Sequence, residues 1–390
     1  MILHLFLYLI LIGCQHAVHN DKRLPTSDQP STASQPIVQS TIVQKPGSMW
    51  HWDQKEVNHP DNLKAIQFTS DKNGWIGSSD ATLYETNDGG RSWQRRDVLT
   101  LSNGFVSSIY FVDALNGWVI AAKNPPNAMD SDGYQSEVMH TTDGGKSWRR
   151  QYWGTKLQLY RILFLNDQEG WLVGRSLDKG AVVLHTTDQG AHWTNADGNL
   201  SKDLSADYAS DVFPVAPGVA NLLTARGKVF NTEDSGTTWT QAAAIQHEPL
   251  QVFISRLGIG PAGDLWVLGG ADSKEGVWTT LSVRSASSAF NSYQINGVYL
   301  IDAIFLSESQ VLACGSMVID GTKSLGRREG TILYSNNRGR SWTVVYSNDQ
   351  IRSINAFAVG QSNHVWAVGD NGLVLRLESS LEKIPPPAAK

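Results

Sequence analysis

The feature that most constrains this chain is an eight-residue motif, Ser/Thr-x-Asp-x-Gly-x-Ser/Thr-Trp, that occurs five times. The copies span residues 86–93, 141–148, 186–193, 232–239 and 335–342. Asn337 replaces the Asp in the last copy, and His192 replaces the hydroxyl residue in the third. Motifs repeated at regular spacing indicate a repeat architecture, so this sequence says more about its fold than about its chemistry.

The spacing of the motifs gives the size of the repeat. Their third positions, Asp88, Asp143, Asp188 and Asp234, lie 55, 45 and 46 residues apart, and Asn337 follows after 103, about two repeats. One repeat has therefore lost its motif. The pattern of the repeats predicts four short strands, A to D, with Phe, Ile or Val in A, a Trp in B of five repeats and the motif, where present, between C and D. Four strands in about 47 residues are typical of a propeller blade.

We therefore predict an all-β fold, a seven-bladed β-propeller over residues 49–378. The predicted blades are residues 63–97, 104–152, 159–195, 207–242, 250–294, 299–346 and 352–378. The seventh has no strand D, and residues 48–53, with alternating Trp50 and Trp52, suit a half-buried strand. We expect this strand to close the ring on strand C of blade seven, because an unpaired edge is a liability. Six blades plus an irregular segment is the alternative, since the repeat around residues 277–279 is degenerate.

The motif residues, hereafter the Asp box, are predicted to be structural. The acidic side chain can accept main-chain N–H groups about two residues further on in a tight turn, and the Gly at the fifth position can adopt positive φ. This interpretation covers Asp88, Asp143, Asp188, Asp234 and Asn337. His192 suggests that the hydroxyl contact to the turn is dispensable. Of 14 Trp residues, five end boxes and five lie in strand B, so the Trp count is explained by packing and does not indicate a sugar platform.

The N-terminus predicts a targeting segment. Residues 1–13 form an apolar stretch, without Lys or Arg, that ends in a sequence resembling the bacterial lipobox, with Cys14 as the lipidated residue. An ordinary signal peptide, cleaved or uncleaved, is the alternative. We interpret residues 14–48 as a flexible tether and 379–390 as a disordered Pro-rich tail. The protein is then expected in the bacterial cell envelope, periplasmic or surface-exposed, with Cys14 in a membrane.

The charge and cysteine content exclude some functions. The net charge is −5 and the isoelectric point is about 6.1, which gives no electrostatic footprint for nucleic acid. Two cysteines provide neither a disulfide framework nor a cysteine metal site. Residues 130–133 resemble part of a calcium loop, but the remaining ligands of such a loop are missing. We predict no cofactor, no metal and a monomeric protein.

The boxes together with Asn-Gly-Trp at 73–75 and 116–118 resemble the photosystem II assembly factor family of seven-bladed propellers and its non-photosynthetic bacterial relatives. The resemblance covers residues 49–378 and implies an assembly or binding scaffold, with the partner left open. Sialidases also contain Asp boxes. Arg161-Ile162-Leu163 only partly matches their Arg-Ile-Pro, lies in blade three and has no assignable Tyr/Glu pair, so a sialidase-like glycoside hydrolase is the weaker alternative.

Two regions are candidate sites. Arg161, Arg256 and Asp302 share a register in the A strands, which predicts either a polar lining of the central channel or salt bridges between neighbouring A strands. The long B-to-C loops are the second region, because binding residues concentrate on loops of a rigid scaffold. Blade two offers residues 123–137. A basic arc comprises Arg175, Lys179, Arg226, Lys323, Arg327 and Arg328.

The sequence therefore predicts a non-enzymatic, envelope-anchored propeller that binds a protein or an envelope polymer. A glycan-binding module is a further alternative and would use exposed aromatic residues, for which Tyr134, Trp153 and Tyr208 are candidates. His140 and His185, at one register of adjacent C strands, are expected to be surface residues.

Overall fold

The computed structural model describes residues 37–43, 50–57, 59–101, 103–124, 133–178, 180–200, 204, 207–245, 253–261, 263–273, 276–284, 290–319 and 326–378. The strands of these residues form seven sheets of four or five strands each. Across the same ranges, no helix is both long enough and apolar enough to traverse a bilayer.

Three strands precede the repeats: β1 (Val38–Gln39), β2 (Thr41–Val43) and β3 (Trp52–Glu56). Blades one to three contain, in A to D order, β4 (Leu63–Phe68), β5 (Gly74–Ser78), β6 (Leu83–Thr86), β7 (Gln94–Arg96); β8 (Phe105–Phe111), β9 (Gly117–Lys123), β10 (Gln135–Thr141), β11 (Arg149–Thr155); and β12 (Leu157–Phe164), β13 (Gly170–Ser176), β14 (Gly180–Thr186), β15 (Thr194–Asn195).

Blades four to seven continue the same order. They contain β16 (Ala209–Ala216), β17 (Val219–Thr224), β18 (Lys228–Thr232), β19 (Thr240–Ala244); β20 (Phe253–Ile259), β21 (Leu265–Ser273), β22 (Gly276–Arg284), β23 (Asn291–Asn296); β24 (Val298–Phe305), β25 (Val311–Val318), β26 (Arg328–Ser335), β27 (Ser341–Asn348); and β28 (Ile354–Val359), β29 (Val365–Gly369), β30 (Leu373–Leu377).

The sheets form the seven-bladed propeller that the sequence predicts. Strand β3 pairs antiparallel with β30, from Trp52 opposite Leu377 to Glu56 opposite Leu373, and so supplies the fourth strand of blade seven. The closing strand begins at Trp52, a few residues later than expected. The fifth repeat is a complete blade, so the six-blade alternative is wrong.

Residues 37–43, part of the predicted tether, run along the outer edges of blades five and six; we call this segment the strap. Strand β1 pairs parallel with β23, and β2 pairs parallel with β27. Ser40 N donates to Gln294 O at 2.7 Å, and Ile42 packs against the core between the two blades. The predicted signal peptide, Cys14, the rest of the tether and the tail 379–390 lie outside the described residues.

Aromatic contacts join neighbouring blades. Phe111 of blade two lies parallel to Trp75 of blade one and edge-on to its own box Trp148, each with ring centroids 6.0 Å apart. Phe164 of blade three stacks on Trp118 of blade two at 3.5 Å. Trp75, Trp118 and both Phe side chains are at most 2% exposed. These ring contacts join strand B of one blade to strand A and the box Trp of the next.

Candidate functional site

The Asp boxes lie on one face of the propeller, together with the A-to-B turns. In blade one, Asp88 Oδ1 accepts from Ser92 N at 2.9 Å and from Thr86 Oγ1 at 2.8 Å, and Asp88 Oδ2 accepts from Ser92 Oγ at 2.6 Å. Gly90 N in turn donates to Thr86 Oγ1 at 2.9 Å. The hydrogen bonds from Ser92 lower the pKa of Asp88 to about 2. The main-chain donor lies four residues after the Asp, further along than the sequence interpretation assumed.

The irregular boxes keep the same connections. His192 Nδ1 lies 2.7 Å from Asp188 Oδ2, so the imidazole occupies the place of the usual hydroxyl. The expectation that this contact is dispensable was wrong, because another donor supplies it. In the last box, Asn337 Oδ1 accepts from Ser341 N at 2.9 Å while Asn337 Nδ2 donates to Ser341 Oγ at 2.8 Å. Box side chains therefore bond within their own turns.

The central channel is lined by the A strands of all seven blades and contains a cavity of about 140 Å³. A one-residue bulge interrupts every A strand at the same place, and a bulge re-aims the side chain that follows it. The residues that follow the seven bulges are Ala65, Ser108, Arg161, Asp211, Arg256, Asp302 and Ala356. Five of these line the cavity: Arg161, Arg256 and Asp302, which are charged, and Ala65 and Ala356.

Side chains near the bulges connect each A strand to the next. The contacts, from blade one onward, are Gln67 Nε2 to Phe111 O (2.9 Å), Ser107 Oγ to Leu159 O (3.0 Å), Arg161 Nε to Asp211 Oδ1 (3.4 Å), Leu257 N to Asp211 Oδ2 (3.0 Å), Arg256 Nε to Asp302 Oδ1 (3.2 Å), Phe357 N to Asp302 Oδ2 (2.9 Å) and Asn355 Nδ2 to Leu63 O (2.8 Å). Arg161, Arg256 and Asp302 thus both line the cavity and bridge neighbouring blades. Sequence reasoning missed Asp211, although it occupies the same register as Arg161.

The two histidines predicted at the surface are buried. His140 is 8% exposed and stacks on Trp118 with ring centroids 4.5 Å apart. Burial lowers the pKa of His140 to about 4. His185 is 5% exposed, and its Nε2 lies 3.0 Å from Glu169 Oε1. The prediction was wrong because the C strands lie beneath the Trp rings of strand B and are not at the rim of the blade.

The opposite face, formed by the B-to-C and D-to-A loops, holds the arrangement best suited to binding. Arg175, at the end of β13, lies with its guanidinium carbon 5.6 Å from the ring centroid of Tyr134 and 5.8 Å from that of Tyr208. Its Nε donates to Gln158 Oε1 at 3.0 Å, and the Tyr160 hydroxyl donates to the same oxygen at 2.9 Å. We call these five residues the Arg175 cluster.

The cluster is assembled from three blades. Tyr134 follows the B-to-C loop of blade two, Gln158 and Tyr160 belong to β12 of blade three, and Tyr208 precedes β16 of blade four. Tyr160 is the bulge residue of its strand, and its ring lies 5.4 Å from that of Tyr208. Burial raises the pKa of both tyrosines, so their hydroxyl groups stay neutral donors at physiological pH. A guanidinium framed by tyrosines is suited to a carboxylate or a peptide carbonyl.

The structure brings together only part of the predicted basic arc. Arg226 N donates to Asp207 Oδ1 at 3.1 Å, one residue before Tyr208, so the Arg226 turn adjoins the Arg175 cluster. Arg327 and Arg328 lie on blade six, where Arg327 is 3.8 Å from Asp349. Lys179, Lys323 and residues 130–132 lie outside the described residues. Trp153, the third predicted aromatic, lies on the outer strand β11 and is 49% exposed.

One group of the described residues has metal-ligand chemistry. A ligand atom from each of His59, Asp61 and Asp80 lies within 4.8 Å of the other two. Their side chains already bond to protein: His59 Nδ1 lies 2.7 Å from Asp61 Oδ1, and Asp61 Oδ2 accepts from Tyr84 Oη at 2.7 Å. These contacts fix the entry to blade one.

Comparisons with known proteins bear on the same architecture. The family model for the photosynthesis system II assembly factor YCF48 matches residues 45–157 and 126–251, more than half of the chain. The photosystem II assembly lipoprotein Ycf48 of Synechococcus sp. (strain CC9902) is 25% identical over 338 residues, covering 83% of this chain and 87% of that protein. The photosystem II stability/assembly factor HCF136 of Arabidopsis thaliana is 24% identical, covering 80% and 75% respectively. A solved structure described as "YCF48 bound to D1 peptide" has a TM-score of 0.59 at 18% identity, covering 87% of this chain and 99% of that one.

Proposed function

This chain belongs to the photosynthesis system II assembly factor YCF48 family, and from that premise we propose that it is a non-enzymatic propeller that binds a protein partner. Its task is to assist the assembly or retention of that partner at the cell envelope. Relatives of this chain are named as assembly factors, and a protein of the same fold is described as bound to a peptide. These descriptions favour a protein segment over an envelope polymer.

The observation that carries the proposal is the Arg175 cluster. Arg175 is held between two tyrosine rings, and its Nε is fixed by Gln158, so its geometry is set before a ligand arrives. Pre-organisation of this kind reduces the entropy lost on binding. Arginine and tyrosine are the residue types enriched among the energetically dominant contacts of protein interfaces. Tyr134 and Tyr208 lie against Arg175, and the ring of Tyr160 lies against that of Tyr208. These rings are thus engaged by protein groups, which favours a peptide over a flat sugar ring as the ligand.

The channel side chains argue against the glycoside hydrolase alternative. That reaction needs one protonated carboxyl group and a second carboxylate that acts on substrate or water. Asp211 accepts from Leu257 N and pairs with Arg161, while Asp302 accepts from Phe357 N and pairs with Arg256. Both carboxylates are thereby engaged by main-chain N–H groups and arginines of neighbouring blades. A structural use of these groups supports the binding function.

Affinity capture from detergent-solubilised envelopes tests the proposal. We expect Arg175→Ala to reduce partner recovery about tenfold or more, because truncation of a central interface arginine typically costs over 1 kcal/mol. Arg352→Ala is the matched control, since Arg352 is exposed on the same face but on blade seven. Charge reversal of Arg327 and Arg328 tests the blade-six part of the arc. Equal recovery by the wild type and Arg175→Ala would exclude the cluster as the binding site.

We further propose that Cys14 is lipidated and anchors the propeller. Two relatives are named lipoproteins, and the residues before Cys14 resemble a lipobox. Cys14→Ser is expected to move the protein from the membrane pellet to the soluble fraction and to abolish incorporation of labelled palmitate. Unchanged labelling would exclude Cys14 as the attachment site.

A further inference from the structure

The strap shows that the outer strand of a blade in this molecule accepts an additional strand. Val38 lies opposite Tyr293 of β23, and Thr41 lies opposite Ser341 of β27, both in parallel register. Strands β23 and β27 are the D strands of blades five and six. The outer edge of a sheet carries unpaired N–H and C=O groups, which an extended chain can satisfy. Strand addition is therefore a binding mode that this fold already uses.

Blade two has the longest outer strand without such a partner in the described part of the chain. Strand β11 has seven residues, whereas β3, β7, β15 and β19 have five, three, two and five. It pairs with β10 on one edge, and none of the described residues pairs with its other edge. Because main-chain hydrogen bonds increase with strand length, β11 is the edge best able to hold an added strand.

The side chains at this edge are basic at one end and aromatic at the other. Lys146, Arg149 and Arg150 are exposed at the box-face end. Trp153, towards the loop face, is 49% exposed, whereas five other Trp side chains of the blades are at most 2% exposed. A cleft of about 660 Å³ beside this end is lined by Glu85, Arg95, Arg96 and Asp97 of blade one and by residues 145–148 of blade two. Three exposed cations within five residues favour an acidic ligand.

We propose that the outer edge of blade two, formed by Lys146 and β11, binds an extended acidic segment of a partner protein as an added parallel strand. Parallel addition fixes the order of the ligand residues. Acidic side chains in the N-terminal half of the segment meet Arg149 and Arg150, and an apolar side chain about four residues later meets Trp153. This surface lies at the perimeter of the ring. It is separate from the Arg175 cluster and adds a second contact region to the proposed function.

Fluorescence anisotropy with defined peptides tests this inference on the full-length chain in detergent. The probe is a labelled eight-residue peptide with three acidic residues followed by Val and Ile. We expect Arg149→Glu/Arg150→Glu to weaken its binding tenfold or more. The matched control is Lys55→Glu/Arg352→Glu on blade seven, which changes the net charge equally and should leave the affinity within twofold. Arg175→Ala should also leave it unchanged, so the failure of either proposal can be recognised separately.

Two modified peptides test strand addition itself. Methylation of alternate main-chain amides removes donors without changing charge, and reversal of the sequence keeps composition but inverts direction. Both should bind about tenfold more weakly than the original, and Trp153→Ala should weaken binding severalfold. Equal affinity for the methylated and unmodified peptides would overturn the proposal, because charge alone would then explain binding. Binding to phosphatidylglycerol vesicles that requires Arg149 and Arg150, with no peptide binding, would overturn it in favour of a membrane contact.

Discussion

The two faces of this propeller use the repeat in opposite ways. On the box face, the same contacts recur from copy to copy: Asp88 bonds to Ser92 as Asp143 bonds to Ser147, four residues further on in each case. On the loop face, no two blades contribute alike, and the Arg175 cluster combines different residues of blades two, three and four. The comparison indicates that what is repeated serves stability, and that what differs between the copies serves recognition.

The largest change in stability is expected when a repeated contact between neighbouring blades is removed. Trp118 is fully buried, stacks on Phe164 and donates from Nε1 to Gln189 O at 3.2 Å. We expect Trp118→Ala to lower the free energy of unfolding by about 3–5 kcal/mol, the range for large aromatic truncations in a core. Urea unfolding followed by circular dichroism measures the change.

A matched variant truncates the same residue type, Trp, at an exposed position. Trp153→Ala removes an exposed ring from the outer strand and is expected to change stability by less than about 0.5 kcal/mol. If both variants cost the same, the junction stacks would not be the main source of cohesion between blades. Partner capture by folded Trp118→Ala should stay close to wild type, because the loop face is not altered.

The fold was predictable because its signals are local and repeated. Box turns and Gly-Trp strands identify the blades, and the alternating Trp50 and Trp52 identify the closing strand. The strap was missed although four of residues 37–43 are Ile or Val, because the segment lies in a stretch rich in Ser, Thr, Gln and Pro and its pairing depends on blades five and six, more than 240 residues away in sequence. Long-range pairing of so short a segment leaves no periodic signal.

The site was only partly predictable for a related reason. Arg175, Tyr134 and Tyr208 were each selected as loop-face candidates, but in separate hypotheses. Their meeting depends on the angle between blades and on the bulge that displaces Tyr160. The basic edge of blade two was also missed, although Arg149 and Arg150 directly follow a box and are visible in the sequence.

An intermediate effect is expected within a single box. Asp88→Ala removes the acceptor for Ser92 N, Ser92 Oγ and Thr86 Oγ1 and should cost about 1 kcal/mol, as for other capped turns. Asp88→Asn should cost less, because Asn337 shows that an amide fits the same turn. Thermal unfolding at pH 7 compares the variants. Equal losses for Asn and Ala would show that the turn depends on charge and not on hydrogen bonding.

The lowered pKa of Asp88 also predicts how the stability of the protein depends on pH. The folded-state pKa of Asp88 is about 2, below its ordinary value of 3.8. Its contribution is therefore fully present above about pH 4 and is lost as the pH falls through 2. Asp143 and Asp188, whose pKa values are also about 2, act in the same window. Replacing all three by Asn should flatten the decline of the melting temperature between pH 4 and pH 2, and an unchanged slope would contradict the assigned hydrogen bonds.

The smallest expected effect concerns the box of blade three, in which His192 replaces the hydroxyl residue. His192→Ser restores the usual residue, and the new hydroxyl can replace the 2.7 Å contact that His192 Nδ1 makes to Asp188. The imidazole is 86% exposed, so little packing is lost and stability at pH 7 should change by less than about 0.5 kcal/mol. His192→Ala leaves Asp188 Oδ2 without this donor and should be the less stable of the two. If His192→Ser instead impaired partner capture without loss of stability, the box face would take part in recognition, and the division between the two faces would fail at this blade.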